Sequence, residues 1–258
     1  MWDNYNLLNL ISNTLLTLVI FAVLYIVSMR VIEPPLFLLR EISIIGVSEA
    51  DSGESKLQHV TREQIEQIVR NEITGSYFTI DLAIIHQAFI KLPWVRTVQV
   101  HRDWPSGLKV MLEEHVVLAQ WGSNALVNTY GEVFRATIDK ELPVFIGPME
   151  ESSQEIARQY ATFSHLLEPL RQRIAEIHLS PRYAWRIRLE TGTVLELGRE
   201  QMRARLARYT AVYDQSIAKL SQQGPLAYLD LRYPNGFAVR MPETMQSAPR
   251  KPGARKET

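Results

Sequence analysis

One apolar run, Leu7 to Met29, constrains this chain more than anything else in it, because the rest of the 258 residues contain no second one. Between Leu15 and Met29 no side chain is charged, and the polar ones are Thr17, Tyr25 and Ser28. At about 1.5 Å per residue the run covers roughly 34 Å of helix, enough for a hydrocarbon core of about 30 Å. Arg30, Glu33 and Pro34-Pro35 stop it. Residues 7–29 therefore read as a transmembrane helix behind a leader of residues 1–6. A cleaved signal peptide would carry Lys or Arg before the run and small residues before the cut. Met-Trp-Asp-Asn-Tyr-Asn has no basic residue, and Val27-Ser28-Met29-Arg30 is a poor cleavage site. A buried core helix is rarely so uniformly apolar for so long. Everything after the run works on one side of a membrane, tethered to it. Which side is contested: Arg30 and Arg40 favour the cytoplasm, yet a short leader is easily held inside while a long domain crosses.

Charge is balanced at 28 basic and 28 acidic residues, so nucleic acid is not an expected partner. The absence of cysteine excludes disulfides, thiolate catalysis and cysteine-ligated zinc, and suits any redox compartment. Beyond the run there is room for two compact domains.

After a linker over 30–39, Leu36 to Gly46 turns into a strand in its second half, where Ile42 and Ile44 alternate with Glu41 and Ser43. Ser48 to Gln58 is polar and reads as a surface loop. Thr61-Arg62-Glu63-Gln64 has the form of a capping box, and Ile65, Ile68, Val69 and Ile73 follow at helical spacing up to Gly75. Asp81 caps a second helix, with Leu82, Ile85, Phe89 and Leu92 on one face and Pro93 at its end. Strands over Val95 to Arg102 and Leu108 to Glu114 follow. The order strand, helix, helix, strand, strand over 40–114 makes a self-sufficient small domain.

From His115 the texture changes. Val116 to Trp121, Ala125 to Asn128, Glu132 to Arg135 and Leu142 to Ile146 read as short strands, and Ser152 to Arg171 as a helix bent or ended by Pro169. Ala184 to Leu189 and Thr193 to Leu197 form a hairpin around Glu190-Thr191-Gly192. Gly198 to Leu220 is a second helix. Leu226 to Tyr233 and Phe237 to Met241 make a last hairpin around Pro234-Asn235-Gly236. These elements form a β domain over 115–241, and residues 242–258 read as a disordered tail.

No catalytic constellation emerges. His101 with Asp103, and Glu113-Glu114-His115, read as solvated strand-end residues, since none of the six histidines is paired at helical spacing. Adjacent Ser164 and His165 cannot face each other on a helix. Trp94, Trp104 and Trp121 read as core or turn anchors rather than a sugar-stacking platform. Arg199, Arg203, Arg205 and Arg208 read as a solvated face, with an anionic lipid or partner surface as the alternative. The last hairpin differs in kind. If Phe237 to Met241 ends a sheet, its unpaired N–H and C=O groups can accept another chain, and if it is covered they cannot. The residues by themselves leave both open.

Seven stretches, in this order, carry a resemblance: Leu92-Pro93-Trp94-Val95-Arg96; Trp104-Pro105 leading to Leu108-Lys109-Val110; Ala119-Gln120-Trp121; Val127 to Phe134; Trp185 to Leu189; Arg203 to Tyr209; and Tyr228 to Tyr233. Together, behind one anchor, they resemble the bacterial FtsQ (DivIB) family of cell-division proteins over about 37–240. The resemblance implies an α+β chain. A cytoplasmic leader and one transmembrane helix would be followed by a POTRA domain (β-α-α-β-β) and a mixed β domain with two helices, both periplasmic. It implies a non-enzymatic divisome scaffold in the bacterial inner membrane, enriched at the septum, without cofactor or small-molecule substrate. FtsB and FtsL are the implied partners, docked by strand addition on the last strand. Other membrane-bound division proteins would meet the POTRA domain. The partner-binding residues carried over are Arg232, Tyr233, Asn235, Gly236, Phe237 and Val239. Where the family often has Asp-Ser-Gly, this chain has Pro234-Asn235-Gly236. Its leader is shorter than usual and lacks the family's basic residues, so a start codon further upstream would remove the charge conflict. The rival readings are a membrane-anchored cell-wall enzyme and a POTRA-bearing outer-membrane assembly factor. The first lacks positioned acid–base pairs, and the second needs a long barrel for which too little chain remains after residue 115.

Overall fold

A computed structural model describes residues 5–32, 39, 41–47, 54–223, 226–234 and 236–241. Residues 1–4 of the expected leader, most of the linker, Asn235 and the tail over 242–258 lie outside them. The chain divides into two compact units, Met1–His115 and Val116–Thr258.

Helix α1 runs Tyr5–Ile32, a length of about 42 Å. Its window Leu8–Met29 has a mean hydropathy of 2.4 and no charged side chain, and none of it is buried inside the protein. A long apolar helix that stands clear of the core formed by the described residues suits the hydrocarbon of a membrane.

Beyond α1, the first unit is a four-stranded sheet under two helices. Its elements are β1 (Glu41–Val47), β2 (Glu54–Ser55), α2 (Arg62–Glu72), α3 (Leu82–Ile90), β3 (Val95–Asp103) and β4 (Gly107–Glu114). The sheet order is β2-β1-β4-β3, with β1 and β4 parallel and β3 and β4 antiparallel. Strand β2 is a correction to the loop reading, since Glu54 and Ser55 pair with Val47 and Gly46. Two residues are too few for any periodicity to announce a strand.

Both helix starts form as their sequences require. The Thr61 hydroxyl accepts from Gln64 N–H, and the Gln64 side chain accepts from Thr61 N–H. Asp81 Oδ1 accepts from Ala83 N–H at 2.8 Å. Ile85 and Phe89 of α3 are buried against Leu108, Val110 and Leu112, the inward-facing alternate residues of β4. Glu113 and Glu114 are structural. Glu113 accepts from Arg96 Nη1 and Thr97 Oγ1, each at 2.9 Å. Glu114 accepts from the backbone N–H groups of Gln58, His59 and Val60 at 2.8, 2.9 and 2.7 Å, fastening the approach to α2 onto the end of β4. Trp94 stacks on His59 at 3.7 Å and packs against the core. Of the core and turn alternatives read for Trp104, the structure takes the turn: it stands exposed between β3 and β4.

The second unit is a nine-stranded mixed sheet. Its strands are β5 (Val117–Trp121), β6 (Ala125–Asn128), β7 (Val133–Phe134), β8 (Val144–Ile146), β9 (Ile174–Leu179), β10 (Trp185–Leu189), β11 (Val194–Gly198), β12 (Tyr228–Asp230) and β13 (Ala238–Arg240). Its helices are α4 (Ser153–Leu167), α5 (Met202–Val212) and α6 (Ala218–Gln223), the last two joined through a π-helical turn at Tyr213–Ile217. The second helix thus begins at Met202, not Gly198, because Gly198 still pairs with Trp185 in the sheet. Sheet order is β13-β12-β11-β10-β9-β8-β5-β6-β7.

Strand β9, central in this order, has no counterpart in the sequence reading. Its buried residues are Ile174, Ile177 and Leu179, an uneven spacing. A register shift explains it: Arg188 pairs with Glu176 and the next residue, Leu189, with Ile174, so Ala175 is bulged out and the alternation breaks. Two parallel neighbours, β8–β9 and β11–β12, are each joined through a helix. Ile156, Phe163 and Leu167 of α4 and Leu206 and Tyr209 of α5 enter one core with Phe145, Ile177, Ile187, Leu195 and Leu229. On the opposite face Arg186 pairs with Glu196, Arg188 with Glu176, and Arg232 with Asp230.

Glu114→Ala removes a carboxylate that satisfies three backbone donors, and it should lower the stability of the first unit by about 2–3 kcal/mol. Urea unfolding followed by Trp fluorescence measures this, with Arg62→Ala on the exposed face of α2 as the near-neutral comparison.

Candidate functional site

Strand β13 is the last in the order of the nine-stranded sheet. The route to it begins at β12, whose Tyr228, Leu229 and Asp230 pair in parallel with Val194, Leu195 and Glu196. Leu231 N–H donates to Glu196 O at 3.0 Å, and the chain then leaves the sheet. Arg208 on α5 gathers this departing segment. Its guanidinium donates to Tyr233 O at 3.3 Å, to Leu231 O at 3.5 Å and to Pro234 O. A planar fork with five donors suits such a task, where a lysine would not. Arg205 donates to Leu197 O at 2.5 Å. Of the four arginines read as a solvated face, Arg199 and Arg203 are exposed, whereas Arg205 and Arg208 are tied to backbone carbonyls.

Asp230 is buried, and its carboxylate accepts from Arg232 Nε at 2.9 Å, Arg232 Nη2 at 2.6 Å and Arg232 N–H at 3.0 Å. Those bonds from Arg232 hold the Asp230 carboxyl below its usual range, against the opposing effect of burial. Gly198 makes room for the pair. With φ +76, it sits where a Cβ would meet the Arg232 stem at 3.2 Å and Arg205 Nη1 at 2.7 Å.

In the final hairpin Tyr228, Leu229 and Asp230 face Arg240, Val239 and Ala238. Arg240 O accepts from Ala227 N–H at 3.1 Å and so points toward β12. Successive peptide groups in a strand point to opposite sides, which directs the N–H and C=O of Val239 to the open edge. All three residues of β13 are exposed. Val239 shares a sheet face with Leu229 and Leu195, and its neighbours Phe237 and Met241 pack against the core. Ala238 and Arg240 lie on the charged face, where the Arg240 guanidinium stands 5.9 Å from the centre of the Tyr228 ring.

The residues carried over as partner-binding thus fall along one continuous segment. Tyr233 is 55% exposed and Val239 39% exposed. Gly236 is exposed, and a Cβ there would meet nothing within 4 Å. Phe237 is half-buried against the core, and Arg232 is exposed but bound to Asp230. Sequence reasoning missed the supports, Arg208, Asp230 and Gly198. Of these only the glycine, directly after the expected strand Thr193 to Leu197, carried a local signal.

Two family descriptions match the chain: "POTRA domain, FtsQ-type" over residues 55–115 and "Cell division protein FtsQ/DivIB, C-terminal" over 119–232. Over 240 residues the chain is 47% identical to the cell division protein FtsQ of Nitrosospira multiformis, covering 93% of this chain and 99% of that one. It is 37% identical over 247 residues to the FtsQ of Burkholderia pseudomallei, covering 93% and 94%. This chain belongs to the FtsQ/DivIB family. It is a POTRA-containing, non-enzymatic cell-division protein with one N-terminal helix suited to anchor it in a membrane. The FtsQ/DivIB C-terminal match ends at Arg232, so β13 lies just beyond it.

Two outcomes follow from this geometry. Arg208→Ala should leave the nine-stranded core folded while releasing 231–234, seen as faster amide hydrogen exchange in residues 228–240. Asp230 contributes stability that is present above the ordinary carboxylate pKa of about 4 and is lost as pH falls toward its depressed folded value. Asp230→Asn should therefore cost about 1–3 kcal/mol at pH 7. The difference from wild type should shrink below about pH 4, read from denaturation midpoints across pH 3–7.

Proposed function

We propose that this protein is a divisome scaffold that holds the FtsB–FtsL pair in the periplasm by strand addition at β13, helping deliver it to the septal peptidoglycan-synthesis machinery. In this reading residues 1–6 stay in the cytoplasm and 7–29 cross the inner membrane. A POTRA domain (40–114) and a β domain (115–241) then stand in the periplasm and concentrate at the septum. Other membrane-bound division proteins meet the POTRA domain.

The observation that carries the reading is the position of β13. It is a short, exposed strand at the end of the sheet order, with the Val239 peptide groups facing outward. An added strand would take those groups as its ladder. Specificity would come from side chains that flank it: Tyr233 as an exposed aromatic anchor, Val239 as an apolar contact, and Phe237 as the packed floor beside them. Arg232, occupied by Asp230, would contribute charge at the rim, and Asn235 and Gly236 would complete the contact. Sharing a bilayer with its partners raises their effective concentration, so a modest intrinsic affinity suffices.

The test is binding of the soluble fragment 35–245 to a peptide from the periplasmic part of the same organism's FtsB. Wild type should bind with micromolar or better affinity, and Tyr233→Ala should weaken it about tenfold or more. Val239→Pro removes an outward N–H and should abolish binding with the fold kept. Ala238→Pro removes an inward one and should open the hairpin itself. Equal binding by wild type and Val239→Pro would refute docking on this edge.

A further inference from the structure

The unit that follows α1 carries an aromatic tip unrelated to the docking edge. Residues 73–81 join α2 to α3, and Trp104-Pro105-Ser106 joins β3 to β4. Arg102 fastens these two connections together, donating from Nε to Tyr77 O at 3.0 Å and from Nη2 to Ile80 O at 2.8 Å. Tyr77 is buried between them, its ring meeting Phe78 edge-on at 5.2 Å and Trp104 at 6.2 Å. Around that buried ring the outer two stay in the open, Trp104 at 73% and Phe78 at 48% exposure.

The sheet register brings the chain in at this same end. Glu41, the first residue of β1, pairs with Gly107, which closes the Trp104 turn. Residues 33–40 are all that separate Glu41 from Ile32, the last residue of α1, a stretch that reaches at most about 30 Å. Strand β2 pairs with Val47 and Gly46, at the opposite end of β1. Trp concentrates at membrane–water boundaries, where its ring lies in the apolar zone and its N–H meets water.

We propose that the Phe78–Trp104 tip seats in the lipid headgroup interface of the bilayer that α1 crosses, a second and reversible contact that holds this unit against the membrane. The proposal rests on the reading of α1 as a membrane span. Because α1 already confines the tip within reach of the lipid, a weak intrinsic affinity is enough to populate the contact.

The chain has no cysteine, so one introduced thiol carries a dye to one place. Full-length protein in phosphatidylcholine–phosphatidylglycerol vesicles is labelled with an environment-sensitive dye at Ser106→Cys in the tip, or at Lys56→Cys beside β2, and quenched by nitroxide-bearing lipid. At Ser106→Cys the quenching should be at least about twofold that at Lys56→Cys. Adding Trp104→Ser and Phe78→Ser should bring it down to the Lys56→Cys level, with circular dichroism unchanged. Equal quenching at both positions, or quenching that survives both substitutions, in protein that floats with the vesicles overturns the tip contact and leaves α1 as a span. Protein that does not float with the vesicles overturns both.

Discussion

A strand cannot reach a parallel neighbour through a tight turn; the chain must cross over the sheet, and crossovers have one hand. In the C-terminal sheet β8, β9, β11 and β12 all run the same way. Both crossovers, through α4 and through α5, step toward the β13 side, so a single handedness sends both helices to one face. From that constraint the remainder follows. One face becomes the core, the other keeps its charged alternation, and α5 arrives beside the chain leaving β12. Arg208 can collect the carbonyls of Leu231, Tyr233 and Pro234 only because the crossover has put it there.

The sheet then stops in a controlled way. An exposed edge invites uncontrolled pairing, and proteins limit it by keeping edge strands short and charged. Here β13 has three paired residues, ends in Arg240 and is preceded by a turn containing Pro234. An edge built like this can admit one additional strand of limited length without templating a fibre. Its rigidity is borrowed from Asp230, Arg232 and Arg208, which fix the segment on which the strand hangs.

Much of the fold was legible in local sequence because its causes are local. The membrane run depends on composition over one stretch, the capping box on residues three apart, and the alternation of Leu108, Val110 and Leu112 on neighbours two apart. The misses share a different cause. Strand β9 was hidden because the bulge at Ala175 broke its alternation, and β2 because two residues carry no period. Gly198 looked like the opening of a helix but belongs to the sheet through Trp185. Of the candidate site, the segment from Arg232 to Val239 was legible as a hairpin, but its supports were not. Arg208 lies more than twenty residues away in sequence, and nothing in a run of arginines distinguishes one that binds carbonyls from one that meets water.

By itself, then, the sequence determined the apolar helix, the two-unit succession of elements and the turn chemistry, since each needs only covalent neighbours. Tertiary structure alone decided that β13 is an edge rather than an inner strand, that Trp104 is exposed rather than core, and that two of the four arginines serve the backbone. Those outcomes depend on strand order and helix placement. Both are settled by crossover handedness and by which apolar faces meet, a competition among distant segments that no local window records.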